Sequence, residues 1–219
     1  MDHLNLWYEI FKELDFITKL SIVTTCWSFR NSFYITDLYH IEKKYLELLN
    51  DEILHCGLFN QITHLCAEDN SNIGDISFTK NLKVLNANGS CNITQSDIDG
   101  LDLVELGASN NTNICNVSFM KSLKILYAED YSSIDQNGIT ELDLHVLNAN
   151  SNTEIIDVSF MKNLKILNAG GACGICQYGI DGLDLYELYI DYNSGITDTS
   201  FMKNLKFLSA EPPMVGWED

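Results

Sequence analysis

The most chemically suggestive run in the chain is Cys173-Gly174-Ile175-Cys176, because two thiols at this spacing form half of a zinc site or a redox pair. No second pair and no nearby His completes four ligands, and both cysteines fall in columns that a repeat also fills with Cys91 and Cys115. The histidines His64 and His145 stand four repeat units apart, or about 19 Å at roughly 4.8 Å per stacked strand, too far to act on one substrate atom. Asp75, Asp157 and Asp198 recur at a fixed register, as expected of turn capping rather than of paired catalytic carboxylates. Gly170-Gly171 lacks the Gly-Lys-Ser that would make a phosphate loop. The expectation is therefore no catalytic residue, no metal and no cofactor, with recognition as the remaining chemistry.

The elements that position any recognition surface follow from a repeat. LKVLNA at Leu82, LVELGA at Leu103, LKILYA at Leu123, LHVLNA at Leu144 and LKILNA at Leu164 are flanked by ITHLCA at Ile62, LYELYI at Leu185 and LKFLSA at Leu205. Spacings alternate between 20 and 21, and Phe78, Phe119, Phe160 and Phe201 reveal an overlying period of 41. Such short units cannot each bury an apolar face, so they stack into a solenoid. Counting from the first Leu of each copy, alternation points places four and six inward and places three, five and seven outward on a short parallel strand. Place twelve, from Ile73 to Ile196, is an unbroken Ile column and belongs to the core. The small residues at place ten, such as Ser71, Cys91, Thr112 and Ser132, read as an inner ladder. The ninth place mixes Asn70, Asn111, Asn152 and Asn193 with Ser90, Tyr131, Ala172 and Pro213, which places it at the surface.

Outward places carry Val84, Ile125, Val146, Ile166 and Phe207 at place three, Tyr127 and Tyr189 at place five, and Tyr186 and Tyr192 beside them. A solvated face rarely keeps such a row. Val84, Ile125, Tyr127, Ile166, Tyr186, Tyr189, Tyr192 and Phe207 are thus the candidate target-binding residues, ringed by Glu68, Asp69, Glu129, Asp130, Asp191 and Glu211. Apolar anchors inside an acidic rim suit a basic partner. After the last copy, Pro212 and Pro213 cannot donate to another strand, and Trp217 is placed to fold over the final core.

Before about Gly57 the apolar period is helical. Leu6, Ile10 and Leu14, with Trp7 and Phe11, stripe a first helix; Leu20, Val23 and Trp27, with Ile22, Cys26, Phe29 and Phe33, stripe a second; a third is expected from Asp37, capped by Thr36, to Gly57. The division is residues 1–57, a helical module, and 58–219, a solenoid with a short C-terminal cap. A formal charge of -18, from 31 acidic against 13 basic residues, disfavours nucleic acid and anionic membrane as partners. No basic, apolar leader opens the chain and no apolar run approaches about 18 residues, so a cytoplasmic or nuclear protein with reduced thiols is expected.

The repeat L-x-x-L-x-A, followed by a polar place and then Ile, resembles the leucine-rich repeat family from about Ile62 to Ala210. It departs from that family in its Ala at place six and its ladder at place ten. The resemblance implies an α/β repeat arc of parallel strands; the short units leave room only for extended or single-turn convex segments. The first 40 or so residues resemble the F-box, through Leu6, Ile10, Phe11 and Leu14, then Leu20, Val23, Cys26, Phe29 and Arg30, although the Leu-Pro that usually precedes the first helix is missing. That resemblance implies docking through Leu6, Ile10, Phe11, Leu14, Leu20, Val23 and Phe29 onto a Skp-type adaptor of cullin-RING ubiquitin ligases. The chain would then be a substrate receptor whose repeat face holds a target protein. The alternative is a scaffold or decoy whose helical module only caps the solenoid. With one arginine, few prolines and abundant Asn, Ile and Tyr, the combination resembles proteins of amoebae and their giant viruses.

Overall fold

The computed structural model describes residues 10, 13–25, 34–55, 57 and 59–211, and the side chains of Val23 and Thr25 lie outside the description. Leu6, Trp7, Phe11, Cys26, Trp27, Phe29, Arg30, Phe33, Pro212, Pro213 and Trp217 also lie outside it, so the expectations for a first helix and a C-terminal lid rest on residues that are not described.

Among the described residues nine parallel strands form one sheet in chain order: β1 (Asp37–Leu38), β2 (His64–Cys66), β3 (Val84–Asn86), β4 (Glu105–Gly107), β5 (Ile125–Tyr127), β6 (Val146–Asn148), β7 (Ile166–Asn168), β8 (Glu187–Tyr189) and β9 (Phe207–Ser209). The chain is a parallel β-solenoid. Each place-four Leu registers with the next, as Leu85 with Leu106 and Leu106 with Leu126, and from Leu65 to Leu188 this column is buried. The place-six Ala residues from Ala67 to Ala169 and the Ile column from Ile73 to Ile196 are buried as well. Alanine fits place six because the chain turns immediately afterwards and the neighbouring coil stacks close against it.

The side opposite the sheet alternates, which is the origin of the 41-residue period. One kind of coil makes a single helical turn, α4 (Gln95–Ile98) or the 3-10 turns Asn137–Ile139 and Gln177–Ile180, and buries Ile98, Ile139 or Ile180. The other kind buries Val117 and Met120, or Val158 and Met161, in an irregular turn.

Two expectations need correction. The helix from Asp37 to Gly57 does not form. Its first residues are β1, paired with His64 and Leu65, and two one-turn helices follow, α2 (Lys43–Leu46) and α3 (Asp51–Leu54). The reason is visible in Ile35-x-x-Leu38, both buried, which repeats the Leu-x-x-Leu spacing and extends the core by one coil. The sheet thus begins on the N-terminal side of Gly57. Ahead of it, α1 (Phe16–Thr25) starts at Asp15, whose carboxylate accepts from the Thr18 N–H at 3.0 Å, and Leu14, Phe16, Leu20 and Ile22 pack against the core.

The second correction concerns the inner ladder. Asn111 and Asn152, assigned to the surface, are each only 1% exposed, and Asn70 and Asn193 are buried too. Their place-ten neighbours Ser71, Thr112, Thr153 and Ser194 are exposed instead. In the alternate coils the roles exchange: Cys91 and Ser132 point inward, Cys173 is half-buried, and Ser90, Tyr131 and Ala172 point out. The inner column therefore runs Asn70, Cys91, Asn111, Ser132, Asn152, Cys173, Asn193, switching by one residue in each coil. Asn152 shows why. Its Nδ2 donates to the carbonyls of Ala128 (2.8 Å) and Ile134 (3.1 Å) of the preceding coil, while its Oδ1 accepts from the Glu154 N–H at 2.9 Å. Asn193 repeats the pattern on Ala169 and Ile175, and Asn70 uses Leu46 and Leu49.

Two substitutions test this column in denaturant melts. Asn152→Ala is expected to cost about 1 to 3 kcal/mol, because it strands buried backbone groups on two coils. Tyr131→Ala, at the same place in an alternate coil but 81% exposed, is expected to stay within about 0.5 kcal/mol. Leu126→Ala, which opens a cavity between coils, should cost about 2 to 5 kcal/mol. Equal effects at Asn152 and Tyr131 would contradict the alternation.

Candidate functional site

The outward side of the sheet is built by strand alternation alone. In β2 to β8 each central Leu is buried, and the residues on either side are half-buried, Gly107 excepted. Val84, Ile125 and Ile166 thus line one row, with Tyr127 and Tyr189 in the next. Parallel pairing fixes these rows at about 4.8 Å per strand, which puts Tyr127 on β5 and Tyr189 on β8 roughly 14 Å apart.

At the C-terminal end the face becomes more open. Tyr186, Tyr192 and Phe207 are 49%, 45% and 48% exposed, and the rings of Tyr189 and Phe207 meet at 5.1 Å. The structure brings Tyr189 and Phe207 together and leaves Tyr127 apart from them. Tyr192 also occupies a turn. It sits at place eight, where Asp69, Gly89, Asn110, Asp130, Ser151, Gly171 and Tyr192 all have φ between 53 and 68°. That left-handed turn favours Gly, Asn and Asp, which accounts for Asp69 and Asp130 on backbone grounds. The Tyr192 hydroxyl donates to Glu211 at 2.7 Å.

Towards the N-terminal end lies an arrangement that the sequence did not single out. Tyr39 follows Leu38 on the first coil and takes place five, level with Cys66, Asn86, Gly107 and Tyr127 in the following coils. Burial raises the Tyr39 hydroxyl above its ordinary range, and the charges of Glu105, Cys66, Tyr127 and Glu68 add to that. Burial, then Glu105 and Glu129, raises Tyr127 in the same way. Glu129 is itself raised by burial and by Asp130, while the one hydrogen bond its carboxylate accepts among the described residues, from Ser109 Oγ, is long at 3.3 Å. Gly107 stands within this row, and a Cβ there would lie 2.8 Å from Asn88 Oδ1 and force that side chain to shift. The missed signal was Ile35-x-x-Leu38, which would have placed Tyr39 on the face.

The remaining candidates resolve into structure. Asp75, Asp157 and Asp198 accept from the N–H groups of Ser77, Ser159 and Ser200 at 3.0, 2.9 and 2.8 Å, as turn capping requires. His64 and His145 lie on and beside strands four apart, and His64 Nδ1 meets Thr63 Oγ1 at 2.8 Å. Cys173 is half-buried, and burial pushes its thiol to about 11, far from a reactive thiolate. Among the described residues no group of His, Cys, Asp and Glu is arranged to hold a metal, and no helix is long and apolar enough to cross a membrane.

Of the adaptor-binding candidates, Leu14 and Leu20 are half-buried against the core, Ile10 is 41% exposed, and Val23 lies on α1 with its side chain undescribed. Leu6, Phe11 and Phe29 lie outside the described residues.

Two carboxylates of opposite tendency give a pH test. Hydrogen bonds from the Asn163 backbone and side chain hold Asp143 below its ordinary value of 3.8, so its contribution is complete above that value and is lost as pH falls through the lowered one. Glu129, raised above 4.5, favours the native state only when protonated, and that contribution is lost as pH rises through the raised value. Asp143→Asn should therefore lower the melting temperature at pH 7. Glu129→Gln should raise it, by at most about 1 kcal/mol in stability since the group is only half-buried. Both differences should shrink near pH 3 in thermal melts.

No protein-family model matches the chain, and no curated protein matches it significantly, so the functional reading rests on the face and its chemistry.

Proposed function

We propose that the chain is a non-catalytic recognition protein: the outward sheet face holds a target protein, and the N-terminal segment recruits a Skp-type adaptor, making the molecule a substrate receptor of a cullin-RING ubiquitin ligase. The observation that carries the recognition arm is the sheet face itself. Half-buried apolar and aromatic side chains run across parallel strands from Val84 to Tyr189, ending at the exposed Phe207, beside carboxylates, an arrangement suited to an extended protein surface. The adaptor arm rests on the F-box resemblance of the N-terminal residues and on Ile10, whose side chain is available to a partner.

One observation favours the scaffold reading. Leu14, Phe16, Leu20 and Ile22 pack against the solenoid core, and the Phe16 ring lies 5.6 Å from that of Tyr45. Terminal coils need such cover whether or not an adaptor binds. Leu14 and Leu20 are thus shared between capping and any adaptor contact.

Co-purification with a Skp-type adaptor separates the two readings. The full chain should retain the adaptor, and Ile10→Asp should abolish retention while leaving the thermal melt unchanged, because Ile10 is exposed. A chain that retains no adaptor, or an Ile10→Asp variant that binds normally, would leave the capped scaffold.

A further inference from the structure

The same sheet face has a charge pattern that names a partner chemistry. The basic residues of the repeats stand in pairs, Lys80 with Lys83 and so on to Lys203 with Lys206, all at the edge where the strands begin. Four of the eight have side-chain partners there: Lys83, Lys124 and Lys162 donate to the carbonyls of Asp102, Asp143 and Ser159, and Lys121 pairs with Glu141 at 3.0 Å. Across the face, and among the described residues, the Glu105 carboxylate has no hydrogen bond or ion pair, and the Glu129 carboxylate has only the long bond from Ser109. The histidines nearest Tyr39 are also engaged, His40 with Asp37 and His64 with Thr63.

Tyr39 and Tyr127 stand at the two ends of a row whose intervening side chains, Cys66, Asn86 and Gly107, are short. This leaves a shallow trough with an aromatic ring at each end and Glu105 and Glu129 on either side of the Tyr127 row, on places three and seven. Both carboxylates are half-buried, so each has lost part of its hydration without gaining a cation. A guanidinium or ammonium group seated against a tyrosine face supplies what is missing, because the ring attracts the cation and the carboxylates pair with it.

We infer that the face between Tyr39 and Tyr127 is a docking surface for an extended, arginine- or lysine-bearing segment of a partner protein, with Glu105 and Glu129 taking the cationic side chain and the tyrosines holding its apolar stem. The inference rests on the reading of the sheet face as a recognition surface and moves its polar anchor to the N-terminal half, away from Tyr189 and Phe207. Charge complementarity selects the occupant. A net charge of -18 alone attracts any cation weakly, whereas this trough places two under-compensated carboxylates beside one ring.

The test uses the full chain and two blocked heptapeptides, Ala-Arg-Ala-Lys-Ala-Arg-Ala and its counterpart with Glu at the three charged positions, measured by calorimetry at physiological salt. The basic peptide should bind and the acidic one should not. Glu105→Gln combined with Glu129→Gln should weaken binding about tenfold or more, consistent with loss of charge-assisted contacts. Glu52→Gln combined with Asp181→Asn, an equal charge change at exposed residues off the face, should alter it less than about twofold. Tyr127→Phe should bind nearly as well as the parent and Tyr127→Ala should not, with circular dichroism checking the fold. Equal losses in the two charge-matched variants, or no binding of the basic peptide, would overturn the inference. Adaptor co-purification is independent of this trough, so failure here leaves the ligase reading standing, and failure there leaves this one.

Discussion

Everything in this solenoid depends on satisfying the backbone of its turns. Strands β2 to β9 are three residues long and β1 is two, so the sheet ladder pairs only a small part of each coil. The remaining N–H and C=O groups lie in turns stacked against other turns, where an unpaired group costs about as much as a lost hydrogen bond. Side-chain amides make up the difference. Gln95, Gln136 and Gln177 each reach into the next coil: Gln136 Oε1 accepts from the N–H groups of Ile156 (3.0 Å) and Asp157 (2.8 Å), and its Nε2 donates to the Asp157 carbonyl. Asn111, Asn152 and Asn193 reach back into the coil before. A third set, Asp102, Asp143 and Asp184, accepts from the backbone of Ser122, Asn163 and Asn204. The first coil uses Asp51 in place of the glutamine, accepting from Gly74 and Asp75. Among the described residues no buried side-chain nitrogen or oxygen is left without a partner.

These clamps explain why 41, not 20 or 21, is the unit. A glutamine reaches forward from one kind of coil and an asparagine reaches back from the other, so a single coil closes neither set of bonds. The alternation also explains what the sequence made legible. Leucine, alanine and isoleucine columns were readable because apolar burial keeps the same residue types at the same places from coil to coil, and the strand places followed from them. The ninth and tenth places were misread as two uniform columns. Physically they are one inner column that shifts by a residue in successive coils, and Tyr131 and Ser90 belong to the coils in which the ninth place does face water. The glutamines carried a signal in their 41-residue spacing, but a polar residue in a turn has no pattern that separates a clamp from a solvated side chain.

Similar reasoning applies at the N-terminal end. The spacing of Leu38, Ile41, Tyr45 and Leu48 suits a helix face and predicts a helix across residues 37–57. Tertiary pairing prevailed: Leu38 completes the leucine column, and Asn50 accepts from the Ile53 N–H at 2.9 Å to start a separate short helix. That change of register delivers Tyr39 to the sheet face. Candidate face residues at Val84, Ile125, Tyr127, Ile166 and Tyr189 were legible because strand alternation alone decides them. Glu105 was not, since its significance lies in the partners that neighbouring strands fail to offer. The clamps take the polar side chains of the turns into structure.

Residue-resolved hydrogen exchange in Gln136→Ala compared with the parent chain tests the clamp account most directly. The account predicts that the Ile156 and Asp157 amides, which lie in an exposed turn, exchange slowly in the parent and quickly in the variant, while the Leu147 amide in β6 keeps most of its protection. Fast exchange of Ile156 and Asp157 in the parent, or no change in the variant, would show that the turns do not depend on the side-chain amides and would contradict the account.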